Sequence, residues 1–366
     1  MMESDTTQSR LLSLDFFRGF TMFLLIAEFT HLFEHLVAPE FSGTLINSIG
    51  TQLHHHPWNG LRFWDLIQPF FMFIVGVAMP FSYAKRRKRG ESHNVILKHI
   101  ILRCLLLLLL GWWLYCINPG KIVFHMQNVL AQLSVTILIS FLIMRKPAIT
   151  QLLVSVGLLV LTELIYRMFW VEGFNQPFTP DHNFGAWFDM LIAGELSGGH
   201  WVSFNAIPTT VHTIWGVLAG KLLLSSKKGK EKIIILTVVG IIGLIVGYSL
   251  NPITPIIKRI ATTSFVFASG GWTLLALALS YWLIDILKFR KGVLFFAVVG
   301  MNPLFIYLFA HVGGAGLINQ IIKPFTATFF SWAGDNGVNI LTGLMGTLGL
   351  WYICYWMYKR KIFIKI

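Results

Sequence analysis

Charge is scarce in this chain. Asp, Glu, Lys and Arg make up 12% of its 366 residues, about half of what a soluble globular protein carries. That excludes a disordered protein, a nucleic-acid-binding domain and an ordinary cytosolic enzyme. Cysteine is scarcer still. Cys104, Cys116 and Cys354 lie in or beside apolar runs, and an odd count without metal-like spacing is neither a disulfide framework nor a zinc site. There is no phosphate-binding glycine loop, no nucleophile elbow and no zinc-protease motif, so any chemistry must come from His, Asp, Glu and Asn. Acids are the rarer of the two charges, 16 Asp+Glu against 29 Lys+Arg, a formal +13. In a soluble chain that excess would point to phosphate-rich partners; in an apolar one, the positions of the cations relative to the apolar runs decide its meaning.

What is abundant is hydrocarbon: 55% of the residues are hydrophobic and the mean hydropathy is +0.68. A bilayer crossing needs about 20 apolar residues. The sequence predicts ten, at 16–37, 62–84, 96–117, 127–144, 149–170, 204–224, 232–250, 263–287, 293–311 and 338–358. Pro69 and Pro80 are expected to kink the second, and Gln127, Asn128, Gln132 and Ser134 make the first half of the fourth polar. No internal repeat is visible and no soluble domain fits between the runs, so residues 1–366 read as one all-α, polytopic membrane bundle. The first ten residues are polar and partly acidic and no small-residue cleavage site follows the first run, so the N-terminus is expected to be retained.

The connections alternate in character. Gly-, Pro-, His- and Asn-rich segments at 38–61, 118–126, 171–203, 251–262 and 312–337 join the runs on one side, and basic tracts such as Lys85–Arg89, Lys227–Lys230 and Lys359–Lys361 join them on the other. Only Arg62, Lys121, Arg167, Lys258, Arg259 and Lys323 fall outside the basic side. The positive-inside rule then puts both termini in the cytoplasm. The dense Lys85–Arg89 tract could also attract anionic headgroups or a phosphate-bearing substrate.

Ionisable groups inside spans cost about 2.5–3.5 kcal/mol each on insertion scales, so those that are present point to function. Asp15 and Arg18, three apart at the start of the first run, share a helix face as an ion pair; Ser13 or Asp15 is also suited to cap that helix. Glu28 lies about 20 Å further along, where an acid is hard to explain as scaffolding. The stretch His54–Pro69 concentrates His, Trp, Asn and Asp. Its three consecutive histidines point in different directions and suit proton transfer better than a metal; no metal is expected. His125, Gln127, Asn128 and Gln132 head the fourth run, with helix–helix hydrogen bonding as their plain alternative. A late set comprises His212, Lys258, Asn302 and His311, and Asn302-Pro303 is expected to break the ninth helix and free backbone groups to line a cavity.

Two of these segments carry a resemblance. Arg10–Gly19 resembles the R-L-x-S-x-D-x-x-R-G motif of the heparan-α-glucosaminide N-acetyltransferase family. His55-His-Pro-Trp58-Asn59-Gly60-Leu61, followed by Asp65-Leu66 and Pro69, resembles its H-x-x-W-N-G-L-x-x-x-D-L-x-x-P, and Phe71–Gly76 its F-x-F-I-x-G. Weaker matches follow in order at Leu130–Gln132, at Lys258 with Ser264–Val266, and at Gly300–Asn302. The chain departs from the family pattern at Phe29, where an asparagine is expected, and after Gln132, where an arginine is.

The resemblance implies a multi-pass acetyltransferase of the inner (cytoplasmic) membrane. Such enzymes move acetyl from cytosolic acetyl-CoA, a co-substrate, to the amine of a terminal glucosamine on the opposite face. His55 would be the catalytic histidine, as general base or acetyl carrier, with Asp65 and Glu28 orienting it or holding the ammonium. Trp58, Asn59, Lys258, Asn302 and His311 would bind the acceptor, and Asp15, Arg18, Gln132 and His212 the CoA. The expected partners are acetyl-CoA, an amino-sugar or glycosaminoglycan-derived acceptor, membrane lipid and, as an open option, a second copy in a homodimer, with no nucleic acid. An amino-sugar permease and an O-acyltransferase acting on an envelope glycan remain alternatives, the permease without the paired halves that transporters often show.

Overall fold

The computed structural model describes residues 11–117 and 120–364; Arg10 of the first motif and residues 118–119 of the 118–126 connection lie outside them. The described residues form helices and no strand, with one isolated antiparallel bridge between Asn59 and Ile257. In chain order the helices are α1 Leu12–Glu28, α2 Leu32–Leu36, α3 Leu45–Gln52, α4 Ile67–Lys88, α5 His93–Ile117, α6 Val129–Ile143, α7 Ala148–Met168 and α8 Phe184–Ala193. They continue with α9 Ala206–Leu224, α10 Gly229–Leu250, α11 Thr263–Ser280, α12 Val293–Val299, α13 Pro303–Phe309, α14 Ala315–Phe329 and α15 Gly334–Lys359.

Eight helical stretches among the described residues are long and apolar enough to cross a membrane: 63–88, 93–117, 148–168, 198–224, 229–250, 263–286, 303–329 and 331–359. The chain is a multi-pass membrane bundle. The first and fourth of the ten expected runs are realised as shorter apolar helices. α1 stops at Glu28 because His31 takes a left-handed backbone conformation (φ 59°) and the chain turns into α2. At 17 residues it is about 25 Å long. α6 starts at Val129, since Asn128 accepts from the N–H groups of Leu130 and Ala131 and caps it; the polar head of that run is a cap and not helix. Neither Ser13 nor Asp15 caps α1. Asp285, at the end of the π-helical turn that extends α11, accepts from the N–H groups of Leu12 and Ser13, both at 3.2 Å, a carboxylate placed at the positive end of the helix dipole.

The ninth expected run, 293–311, is not one helix. Asn302 leaves helical geometry (φ −126°, ψ 51°) and Pro303 restarts the chain as the first residue of α13, where its missing N–H costs nothing. The helix then runs through a π-helical turn at Ala310–Gly314 into α14, so most of the expected 312–337 loop is helical.

The close packing that holds the site is glycine-mediated. Gly76 of α4 lies so near α9 that a Cβ there would stand 2.1 Å from the Thr213 carbonyl oxygen, and Gly216 of α9 makes the reciprocal approach to Phe73. Small residues let helix backbones meet where lipid gives no hydrophobic drive for association.

Candidate active site

The segment 53–62, which enters α4, is stitched to the 251–262 loop by main-chain contacts. Gly60 donates its N–H to the Ile256 carbonyl at 2.8 Å, beside the Asn59–Ile257 bridge. Gly60 has φ 150°, and a Cβ there would meet the His56 imidazole at 2.5 Å. This glycine therefore sets the stitch that brings Lys258 to His55.

Asp65 is the hub. Its side chain is 1% exposed. Oδ2 accepts the N–H groups of Arg62 at 2.9 Å and His56 at 3.2 Å. Oδ1 lies 3.0 Å from His55 Nδ1 and 3.8 Å from Lys258 Nζ. With two donors filling Oδ2, the carboxylate takes the Nδ1–H of His55, and that tautomer leaves Nε2 as the basic nitrogen. Lys258 Nζ stands 3.2 Å from the same Nδ1. Burial and the Lys258 cation push the His55 imidazole down to about 4, against the pull of Asp65. Burial also pushes Lys258 down to about 8, opposed by Asp65 and Glu28. At neutral pH the trio is thus a neutral imidazole between an ammonium and a carboxylate. Arg62 donates to the His55 carbonyl at 3.0 Å and Arg259 to that of Pro57 at 2.6 Å, clamping the loop.

His55 and Lys258 open on a cavity of about 420 Å³ that Glu28, Gln68, Tyr115, Trp201, Tyr307 and His311 also line. Glu28 accepts from Trp64 Nε1 at 3.0 Å. Trp201 meets the His55 ring edge-on at 5.2 Å, and Lys258 and Arg259 both sit over it at 5.5 Å. His311 stacks on Tyr307, and its buried Nδ1 has no hydrogen-bond partner among the described residues. The wall is braced by amides: Gln68 donates to Gln132, which donates to the Gln127 carbonyl at 2.7 Å, and Gln127 donates to the buried Asp189 at 3.0 Å.

A second cavity, of about 310 Å³, lies toward the basic end of α4 and gathers Arg18, Arg86, His99 and Arg103 against apolar walls. Arg86 pairs with Glu91 and Arg18 with Asp15; Arg103 Nε is buried without a hydrogen-bond partner among the described residues. Leu25, Phe71, Val129 and Tyr307 line both cavities, so the two meet at these four side chains.

The structure brings His55, Asp65, Glu28, Lys258 and His311 together at one cavity and sets Arg18 in the other, with Gln132 in the wall. Asp15 stays beside Arg18 as its ion pair without lining a cavity, and four expected site residues are placed elsewhere. Trp58 donates to the Phe178 carbonyl at 2.7 Å and packs among aromatic residues, and Asn59 serves the main-chain bridge. His212, fully buried, is 2.9 Å from Ser269 Oγ between α9 and α11 and lines neither cavity. Asn302 clamps the C-terminal segment, donating to the Ile362 carbonyl at 2.9 Å and accepting from Ile364 N–H at 2.8 Å. Its amide is consumed there, while Pro303 and Leu304, just after the break, line the second cavity. Sequence reasoning missed Trp201, Tyr115, Tyr307 and Arg103. Arg103 alone carried a signal, a cation ahead of six consecutive leucines.

The chain is similar to heparan-alpha-glucosaminide N-acetyltransferase of Homo sapiens, 26% identical over 430 aligned residues covering 98% of this chain and 60% of the human protein. The Mus musculus protein of the same name is 36% identical over 69 residues, 18% of this chain and 10% of that protein. The chain thus spans about 60% of the length of the human relative. No protein-family model matches it.

Proposed function

We propose that this protein is a transmembrane acetyltransferase that takes acetyl from acetyl-CoA and transfers it to the amine of a terminal glucosamine or related amino sugar. The observation that carries the reading is the pair of cavities meeting inside the bundle, one holding arginines and the other an oriented histidine. CoA has several phosphate charges and a long, thin pantetheine arm. Its phosphates suit Arg18, Arg86 and Arg103, and the arm suits the apolar passage toward His55. The positive-inside rule puts the arginine end in the cytosol, so the amino sugar arrives at the opposite face of an inner membrane.

Glu28 and Asp65 supply negative charge for an arriving ammonium, which gives up one proton before it can attack. The free amine then attacks the thioester carbon. His55 Nε2 takes a proton from the nitrogen, the carbon–sulfur bond breaks, and the thiolate leaves with the proton that His55 returns. Starting from the ammonium, the products are the acetamide, CoA thiol and one released proton. The low proton affinity of His55 suits this order, because the N–H of the tetrahedral adduct is far more acidic than a free ammonium, and Asp65 stabilises the imidazolium while it lasts.

Purified protein given acetyl-CoA and glucosamine releases CoA thiol and N-acetylglucosamine, and His55→Ala abolishes the release while the protein stays folded. Transfer by His55→Ala at the wild-type rate overturns the role of His55. Counterflow of labelled glucosamine in proteoliposomes without any acetyl-CoA turnover establishes a permease instead.

A further inference from the structure

Where the two cavities meet, three of the four shared side chains, Leu25, Phe71 and Val129, are hydrocarbon, and the fourth is Tyr307. Its ring is held on two sides: His311 stacks on it at 5.7 Å and 18°, and Phe29 meets it edge-on at 5.8 Å. Its hydroxyl forms no hydrogen bond among the described residues, and the side chain borders both cavities. The irregular backbone on either side, the Asn302-Pro303 break and the π-helical turn at Ala310–Gly314, frames the short helix that carries it. The uncommitted His311 Nδ1 and Tyr115 hydroxyl border only the histidine-side cavity, not the junction, and the other polar groups nearby are committed. Gln68 is bound to Gln132, Asn128 caps α6, Trp64 serves Glu28 and Lys258 lies against His55 and Asp65.

We propose that Tyr307 is a catalytic residue whose phenol O–H donates to the thioester carbonyl oxygen as negative charge builds on it. The proposal rests on the acetyltransferase reading. If CoA phosphates lie with the arginines and the amine comes from the His55 side, the thioester carbonyl sits where the cavities join, and Tyr307 is the hydrogen-bond donor of that junction. As the nitrogen–carbon bond forms, the carbonyl π pair moves onto oxygen, which Tyr307 stabilises without giving up its proton. When the pair returns, the carbon–sulfur bond breaks and the thiolate takes the proton held by His55. A neutral donor suits this place: an acid such as Glu28 would repel the oxyanion, and His55 is occupied as the base. Preorganised donors of this kind are worth about 10²–10³ in turnover.

The test compares wild type, Tyr307→Phe and a variant with 3-fluorotyrosine at position 307, measuring CoA binding, KM for acetyl-CoA and kcat for transfer to glucosamine. Tyr307→Phe lowers kcat about a hundredfold with CoA binding and KM for acetyl-CoA unchanged, and 3-fluorotyrosine, a more acidic phenol of nearly the same shape, raises kcat above wild type. A Tyr307→Phe protein with wild-type kcat overturns the proposal, as does one whose only defect is weaker CoA binding. If Tyr307→Phe does not fold, the fluorinated phenol decides: a kcat insensitive to phenol acidity overturns the role. A wild type that neither binds CoA nor releases thiol removes the acetyltransferase reading and this proposal with it.

Discussion

Asp65→Asn is the sharpest perturbation of the site, because it keeps the shape and changes one hydrogen-bonding face. Main-chain N–H groups of Arg62 and His56 converge on Oδ2, so the amide oxygen must take that position. The amide NH₂ is then forced onto the Oδ1 position, 3.0 Å from His55 Nδ1. In the wild type Oδ1 holds the Nδ1–H even with the Lys258 ammonium 3.2 Å away; with that acceptor gone nothing is left to take the Nδ1–H, so the imidazole moves its proton to Nε2 and loses the lone pair that serves as base. In serine hydrolase triads the same acid-to-amide change costs about 10⁴ in kcat, or about 5 kcal/mol. Stability responds much less. Lys258 loses its nearest carboxylate but can shed its proton. With the wild-type ammonium held at about 8, discharging it at pH 7 costs about 1.4 kcal/mol, and that caps the penalty of leaving it unpaired. The assay is thiol release from acetyl-CoA in the presence of glucosamine, alongside thermal unfolding in the same detergent. A collapse of turnover with a small loss of Tm is expected. A folded Asp65→Asn protein that keeps turnover within tenfold of wild type refutes the tautomer argument.

Two further predictions concern the free protein. His55 is held at about 4 by burial and by Lys258; its folded value lies below the ordinary 6.5, so the stability tied to the neutral imidazole is fully present above 6.5 and is lost as the pH falls from 6.5, where the unfolded chain begins to bind the proton, to about 4. In Lys258→Met the cation is gone, and the pH midpoint for carbethoxylation of His55, followed by peptide mass spectrometry, moves up toward 6.5; an unchanged or lower midpoint contradicts the assignment. Gly76→Ala puts a methyl group 2.1 Å from the Thr213 carbonyl oxygen, whereas Gly157→Ala meets nothing within 4 Å. Tm in detergent should fall by several degrees for the first and stay near wild type for the second, and equal effects would mean that α4 and α9 are not in close contact.

Hydrophobic periodicity made the helices legible, and one residue type at a time explains where it failed. α1 ends early at a left-handed histidine that no apolar count can detect, and α6 begins late because an asparagine read as intramembrane polarity is its cap. The Asn302-Pro303 break was legible as a break, since proline chemistry is local. The role of the Asn302 side chain was not, because its partner is main chain some 60 residues away in sequence. His55 and Asp65 could be paired from the sequence because they lie ten residues apart in one segment. Lys258, 203 residues from His55, could be suspected only as an awkward cation outside the basic side. Trp201 and Tyr307 carried no signal, being aromatic residues in a chain with 13 Trp and 9 Tyr.

A polar side chain in such a bundle is better judged by what it has left after packing than by its cost of burial. Asn302, His212, Asn128 and Gln132 all looked expensive in the sequence, and each gives its donors or acceptors to main chain or to a neighbouring side chain. They stabilise the bundle by satisfying groups that lipid cannot. Around the two joined cavities His311 Nδ1 and Arg103 Nε are buried without a hydrogen-bond partner among the described residues, and His55 Nε2 and the Tyr307 hydroxyl make no hydrogen bond there. Orphaned atoms also occur away from the cavities, His212 Nδ1 and the Tyr166 hydroxyl among them, so an unsatisfied atom is not by itself the mark of a site. What sets these four apart is that their residues border space a ligand can enter, from an arginine end to a histidine end. A long, polar-headed substrate filling the passage is expected to satisfy them together.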